Sequence, residues 1–176
     1  LRRQRQMCIR DRYEEGLLDG DEQSLLAALV LGNDSLGLAV IDASTGKAWA
    51  CSHEGNDRFL RLQDDLLRWQ PNELVITPKD AEHQQLGRLF PHLDGTMVSQ
   101  HNLSPTKRKE RLQTMLQVAD LGHLDLDHAP LAISATGLAA DYLATVHLRT
   151  DVPLQDVELV EDCLLYTSPS PRDAQL

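Results

Sequence analysis

The sequence is poor in aromatics, which make up 4% of its 176 residues. Its core must therefore be built from aliphatic side chains, and apolar residues at 41% supply enough of them. No stretch approaches the roughly 18 consecutive apolar residues of a membrane-spanning helix. The first twelve residues are basic, but no apolar segment follows, so the pattern of a secretory signal is not met. Basic residues are also scarce, with 17 Lys and Arg against 27 Asp and Glu and a net charge of −10. A surface so acidic repels phosphate backbones, so nucleic-acid binding by this chain alone is not expected. There is no G-x-x-x-x-G-K-[ST] phosphate loop. Ser24, Ser35, Ser44 and the seven histidines lie in no nucleophile elbow or triad context. Residues 13–162 hold no internal repeat and no low-complexity run. These absences point to a soluble cytoplasmic protein, with no residue assigned as catalytic, cofactor-binding or metal-ligating.

What is present begins with residues 25–50, LLAALVLGNDSLGLAVIDASTGKAWA. Two apolar runs, 25–31 and 36–41, flank the turn residues Gly32, Asn33, Asp34 and Ser35. A second turn, Asp42 to Gly46, leads into a third strand over 47–51. Two successive hairpins predict a three-stranded antiparallel meander. The strands are too apolar for a sheet with one wet face, so helices should cover both faces. Gly37, inside the second strand, predicts a close approach of another element to its backbone.

Beyond the meander, helical and strand patterns alternate. Residues 13–23 read as an acidic linker. Asn56 is placed to cap a helix reaching 69 or 70, with Phe59, Leu62, Leu66 and Trp69 on one face. Residues 73–77 form a short strand stopped by Pro78. Asp80 is placed to cap a second helix burying Leu86, Leu89 and Phe90. Residues 96–99 are a further strand. Ser104 and Pro105 open a helix to 118 burying Leu112, Met115 and Leu116. After a loop over 121–130, an Ala-rich helix spans 131–148, and 157–160 begin another strand. The order predicts an α/β layered domain with a mixed sheet, the layout of RNase H-like folds.

Three features offer chemistry, each with a plainer reading. Asp42 follows an apolar strand, as a metal-binding carboxylate does in RNase H-like nucleases, but converging carboxylates are wanting. The plainer role is to shape the turn Asp42 to Gly46 through its side chain. His123, Asp125, Asp127 and His128 crowd four ligand types together but match neither zinc nor EF-hand spacing. They read as a polar loop before a helix. Lys107, Arg108, Lys109 and Arg111 form a basic cluster that reads as a solvated helix face, with docking of an acidic partner as the alternative.

The two ends stand apart. Residues 6–12 (QMCIRDR) and 163–174 (CLLYTSPSPRDA) resemble opposite-strand translations of a transposon-based sequencing adapter. Residues 1–12 and 163–176 are therefore set aside as artefactual tails, which implies an internal piece of a longer reading frame. The tails carry six arginines and only Asp11 and Asp173, so the remainder is more acidic still. They also carry Cys8 and Cys163, leaving Cys51 with no expected disulfide or metal site and consistent with a reducing compartment.

Three segments in order resemble the connector domain of MutS-type DNA mismatch-repair proteins. Residues 37–46 (GLAVIDASTG) are similar to the family's strand ending D-x-S-T-G. Residues 66–76 (LLRWQPNELVI) are similar to its helix, x-P-x-E-L and strand. Residues 121–143 resemble the loop and first helix entering the helical core. The resemblance implies an RNase H-like connector over 13–128 without nuclease residues, followed by the start of the helical core over 129–162. It implies no enzyme activity for this segment. ATP and Mg²⁺ would be cofactors of the parent protein only, and mismatched DNA would be reached only through that parent, a homodimer. The partners implied are the rest of the MutS-like chain and a MutL-type protein, with no membrane. Two rival readings stand beside it. One is a metal-dependent nuclease or resolvase using Asp42. The other is a stand-alone acidic interaction module, which would leave no apolar patch exposed on the helix 131–148.

Overall fold

The computed structural model describes residues 24–122, 129–146 and 154–160. The linker at 13–23, both tails and the ligand-type residues at 123–128 lie outside the described residues. The meander forms as its turn chemistry dictates. Strand β1 (Leu25–Leu31) runs antiparallel to β2 (Ser35–Asp42), in register from Leu25 opposite Asp42 to Leu31 opposite Leu36. Strand β3 (Lys47–Glu54) returns antiparallel to β2. The first turn closes with Gly32 N–H donating to the Ser35 carbonyl at 2.8 Å. The second closes with Gly46 N–H on the Asp42 carbonyl at 2.8 Å, and Gly46 has φ +77°, where a side chain would be strained.

Helix α1 (Arg58–Trp69) follows and ends on Gln70 in the left-handed conformation. Its N-cap is Asp57 rather than Asn56, and no side chain caps it. Strand β4 (Glu73–Ile76) joins β1 in parallel. The second helix expected from Asp80 is split in two, α2 (Pro78–Ala81) and α3 (Gln84–Leu89), which a 3₁₀ turn (Phe90–His92) follows. Thr77 caps α2 by accepting from Asp80 N–H, and His83 caps α3 by accepting from Gln85 N–H. The Asp80 side chain is turned to tertiary use, accepting from Leu31 N–H at 3.2 Å. A cap reading considers only local partners, so it missed this bond 49 residues away. Strand β5 (Met97–Gln100) joins β4 in parallel, and helix α4 (Pro105–Leu116) starts at Ser104 as its sequence requires. Helix α5 (Pro130–Thr145) precedes β6 (Asp156–Leu159), which pairs in parallel with β3.

The result is a six-stranded mixed sheet, ordered β5-β4-β1-β2-β3-β6, with helices on both faces. Alternation along the strands sorts the aliphatic side chains between two cores. Leu25, Ala27, Leu29, Leu36, Leu38, Val40, Leu74 and Ile76 meet Leu62 and Leu66 of α1 and Leu86 and Leu89 of α3. Leu26, Ala28, Val30, Ala39, Ile41 and Val75 meet α5, with Leu112 of α4 in the same cluster. Each fully buried Leu or Ile contributes about 1.5–3 kcal/mol, so the two aliphatic cores offset the lack of aromatics.

The resemblance places residues 129–162 at the start of a helical core; in the structure α5 lies across β1 and β2 and packs on this sheet. A helix apolar all round must be buried, but its pattern does not say against what. Gly37 supplies the answer, because α5 crosses β2 at the one position without a side chain. A Cβ there would sit 2.2 Å from the Leu131 carbonyl carbon and oxygen. Cys51 corrects an expectation, since it is disulfide-bonded.

Candidate functional site

The turn carboxylate comes first. Asp42 is buried at the end of β2. Its Oδ1 accepts from Ser44 N–H at 2.9 Å and from Ser44 Oγ–H at 2.6 Å. Both bonds shape the Asp42–Gly46 turn, the plainer of its two readings. Among the described residues, the one group of three or more metal-ligand side chains close together is Cys51, His53 and Asp65, which leaves Asp42 outside any such cluster.

That group lies between β3 and α1, fully buried. His53 and Cys51 project from the same face of β3, and Asp65 comes from the inner face of α1 between Leu62 and Leu66. His53 Nε2–H donates to Asp65 Oδ2 at 2.5 Å, with both side chains at most 1% exposed. The Cys51 sulfur is 3.9 Å from His53 Nε2 and 4.0 Å from Asp65 Oδ2. A disulfide-bonded sulfur offers no thiolate, and the His53 donor and Asp65 acceptor, 2.5 Å apart, already hold each other. The trio forms a buried polar tie between helix and sheet. Residue types alone flagged none of it, because Asp65 sits on a helix whose other charges face water.

The opposite face carries a larger network at the β4–β5 edge. Glu73, buried at the start of β4, accepts from Ser99 Oγ–H and, at 2.5 Å, from Tyr142 O–H. The preceding residue of α5, Asp141, accepts from His101 Nε2–H at 2.7 Å and from Arg111 Nε–H at 2.7 Å. The His101 ring meets Tyr142 edge-on, with centroids 5.4 Å apart. Two carboxylates thus fasten β4, β5, α4 and α5 together. Both acids of the network accept hydrogen bonds from donors on neighbouring segments.

The basic cluster separates into two kinds of residue. Lys107 and Lys109 are exposed on α4. Arg108 turns inward, donating to the Leu103 carbonyl at 2.7 Å and to Ser134 Oγ at 2.9 Å, and Arg111 pairs with Asp141. The expectation of a solvated face fails for both arginines, because their forked donors reach acceptors that a helix-face reading does not contain.

Tyr142 carries a pH prediction. Burial first, then the Glu73 charge and hydrogen bond, push its phenol well above the ordinary value, with the Ser99 bond opposing. The unfolded phenol ionises near pH 10 while the folded one stays neutral, so the unfolded state binds fewer protons there. Stability from this group is complete below about pH 10 and falls as pH rises beyond it, by at most ~1.4 kcal/mol per unit. Tyr142→Phe, lacking the donor to Glu73, is expected to be about 1–3 kcal/mol less stable near neutrality. That difference should shrink in urea unfolding above about pH 10. A gap unchanged at high pH would contradict this account.

Comparison with known proteins agrees with the extent of this unit. The family model for MutS domain II matches residues 24–156. DNA mismatch repair protein MutS of Acaryochloris marina is 32% identical over 154 residues, covering 81% of this chain and 17% of that protein. The MutS of Nostoc punctiforme is 30% identical over 176 residues, covering 93% and 19%. That of Thermosynechococcus vestitus is 32% identical over 152 residues, covering 80% and 17%. The chain thus spans less than a fifth of the length of these relatives. The matched range takes in β1–β5 and both helical layers, α5 included, and stops at the first residue of β6; on that ground the chain belongs to the MutS domain II family.

Proposed function

We propose that residues 24–160 act as the connector domain of a MutS-like mismatch-repair protein, joining its mismatch-reading end to its ATPase end and offering a surface to a MutL-type partner. The family match over 24–156 carries this reading. The order β5-β4-β1-β2-β3, a meander flanked by two parallel strands, supports an RNase H-like form for it. The engagement of Asp42 in its turn supports a form without nuclease chemistry. In this reading the domain includes α5 and β6 rather than ending at 128. ATP, Mg²⁺ and mismatched DNA are handled by other parts of a homodimeric, cytoplasmic parent. No described helix is long and apolar enough to cross a membrane.

The burial of α5 is also what a module folding by itself would show, and a connector that folds as a unit meets the same requirement. The two differ in consequence. Residues 24–160 placed in a cyanobacterial MutS in place of its own domain II should restore a low mutation rate in a host lacking MutS. A folded, equally expressed chimera as mutable as the domain-deleted protein would rule out the connector reading.

A further inference from the structure

Of the three long helices among the described residues, α4 is held least by apolar burial. Helix α5 buries twelve of its residues, and α1 buries Leu62 and Leu66 around Asp65. In α4 the buried residues are Leu112 and Arg108, with Met115 and Leu116 only partly covered. The helix packs on α5, outside the sheet. Arg108 is 8% exposed, and both acceptors given above for it are neutral oxygens. Among the described residues no carboxylate lies within ion-pair distance of it, although Asp80 attracts it from farther away. Burying a cation without a paired anion is costly, and water would repay that cost on release. The remaining hold is directional: Arg111 on Asp141, and a backbone contact at Gly137, where a Cβ would lie 2.2 Å from the Arg108 carbonyl oxygen.

We infer that α4 is a releasable strap, able to leave α5 while the sheet and α5 stay folded, because Arg108 penalises its docked state and its close approach depends on the missing side chain at Gly137. Local opening of this kind draws on elements with few buried apolar contacts. The strap stands whether or not the domain works as a connector. Within a connector it would be the layer whose position a neighbouring domain could bias without breaking the sheet.

Hydrogen exchange of the 176-residue chain, read by mass spectrometry, tests this. In the parent, amides of α4 should exchange at least ~10-fold faster than those of α5 and β1–β2. Gly137→Ala should raise α4 exchange a further ~10-fold and leave α5 and the strands unchanged, since alanine also favours the α5 helix. Arg108→Met, which removes the buried cation, should slow α4 exchange. Equal protection of α4 and α5 in the parent would overturn the inference. So would a Gly137→Ala variant in which all elements loosen together, or an Arg108→Met variant with faster exchange in α4.

Discussion

Gly37→Ala is expected to cost about 3 kcal/mol, the upper end of ordinary overpacking, and to lower the unfolding midpoint by roughly 10 °C. The added methyl meets backbone, not a side chain that can swing away: the Leu131 carbonyl at 2.2 Å and Ala132 N at 2.6 Å. Relief requires lifting α5 off β2, and α5 buries twelve residues. Total stabilities of about 5–15 kcal/mol make such a loss conspicuous. Gly87→Ala is the matched control. It lies in α3, and a methyl added there would have nothing within 4 Å. The same change should therefore stabilise by about 0.5–1 kcal/mol. Thermal unfolding of the two variants should move in opposite directions. A Gly37→Ala midpoint equal to the parent's would mean that α5 does not seat on β2 as described.

His53→Leu should be similarly damaging, at about 3–5 kcal/mol, because it strands the Asp65 carboxylate in an apolar layer. Asp65 is 0% exposed, and its Oδ1 has no hydrogen-bond partner among the described residues, so the histidine bond is its main compensation. Asp65→Leu alone leaves the imidazole without its acceptor and should cost less, about 1–3 kcal/mol. The double variant should recover most of the loss, since a well-packed apolar pair often replaces a buried ionic one without penalty. Urea unfolding can follow all four proteins through Trp49 and Trp69, whose rings lie 5.1 Å apart. Additive losses in the double variant would show that His53 and Asp65 do not act as a pair.

Local chemistry was legible from the sequence. The meander, both of its turns, the caps at Ser104 and Pro105 and the turn role of Asp42 depend on residues a few positions apart. Short-range hydrogen bonds and backbone preference therefore reveal them directly. The three ordered segments that resemble MutS connectors likewise rest on contiguous residues, and the family match extends over the same region.

The tertiary structure decided what long-range partners decide. It brought Asp80 to the Leu31 amide, Asp65 to His53, Glu73 to Tyr142 and Asp141 to His101 and Arg111, pairs separated by 12 to 69 residues. A carboxylate on a helix looks the same in sequence whether it faces water or a buried donor. The same holds for α5: its composition required burial, and only the crossing at Gly37 determined that this sheet provides it.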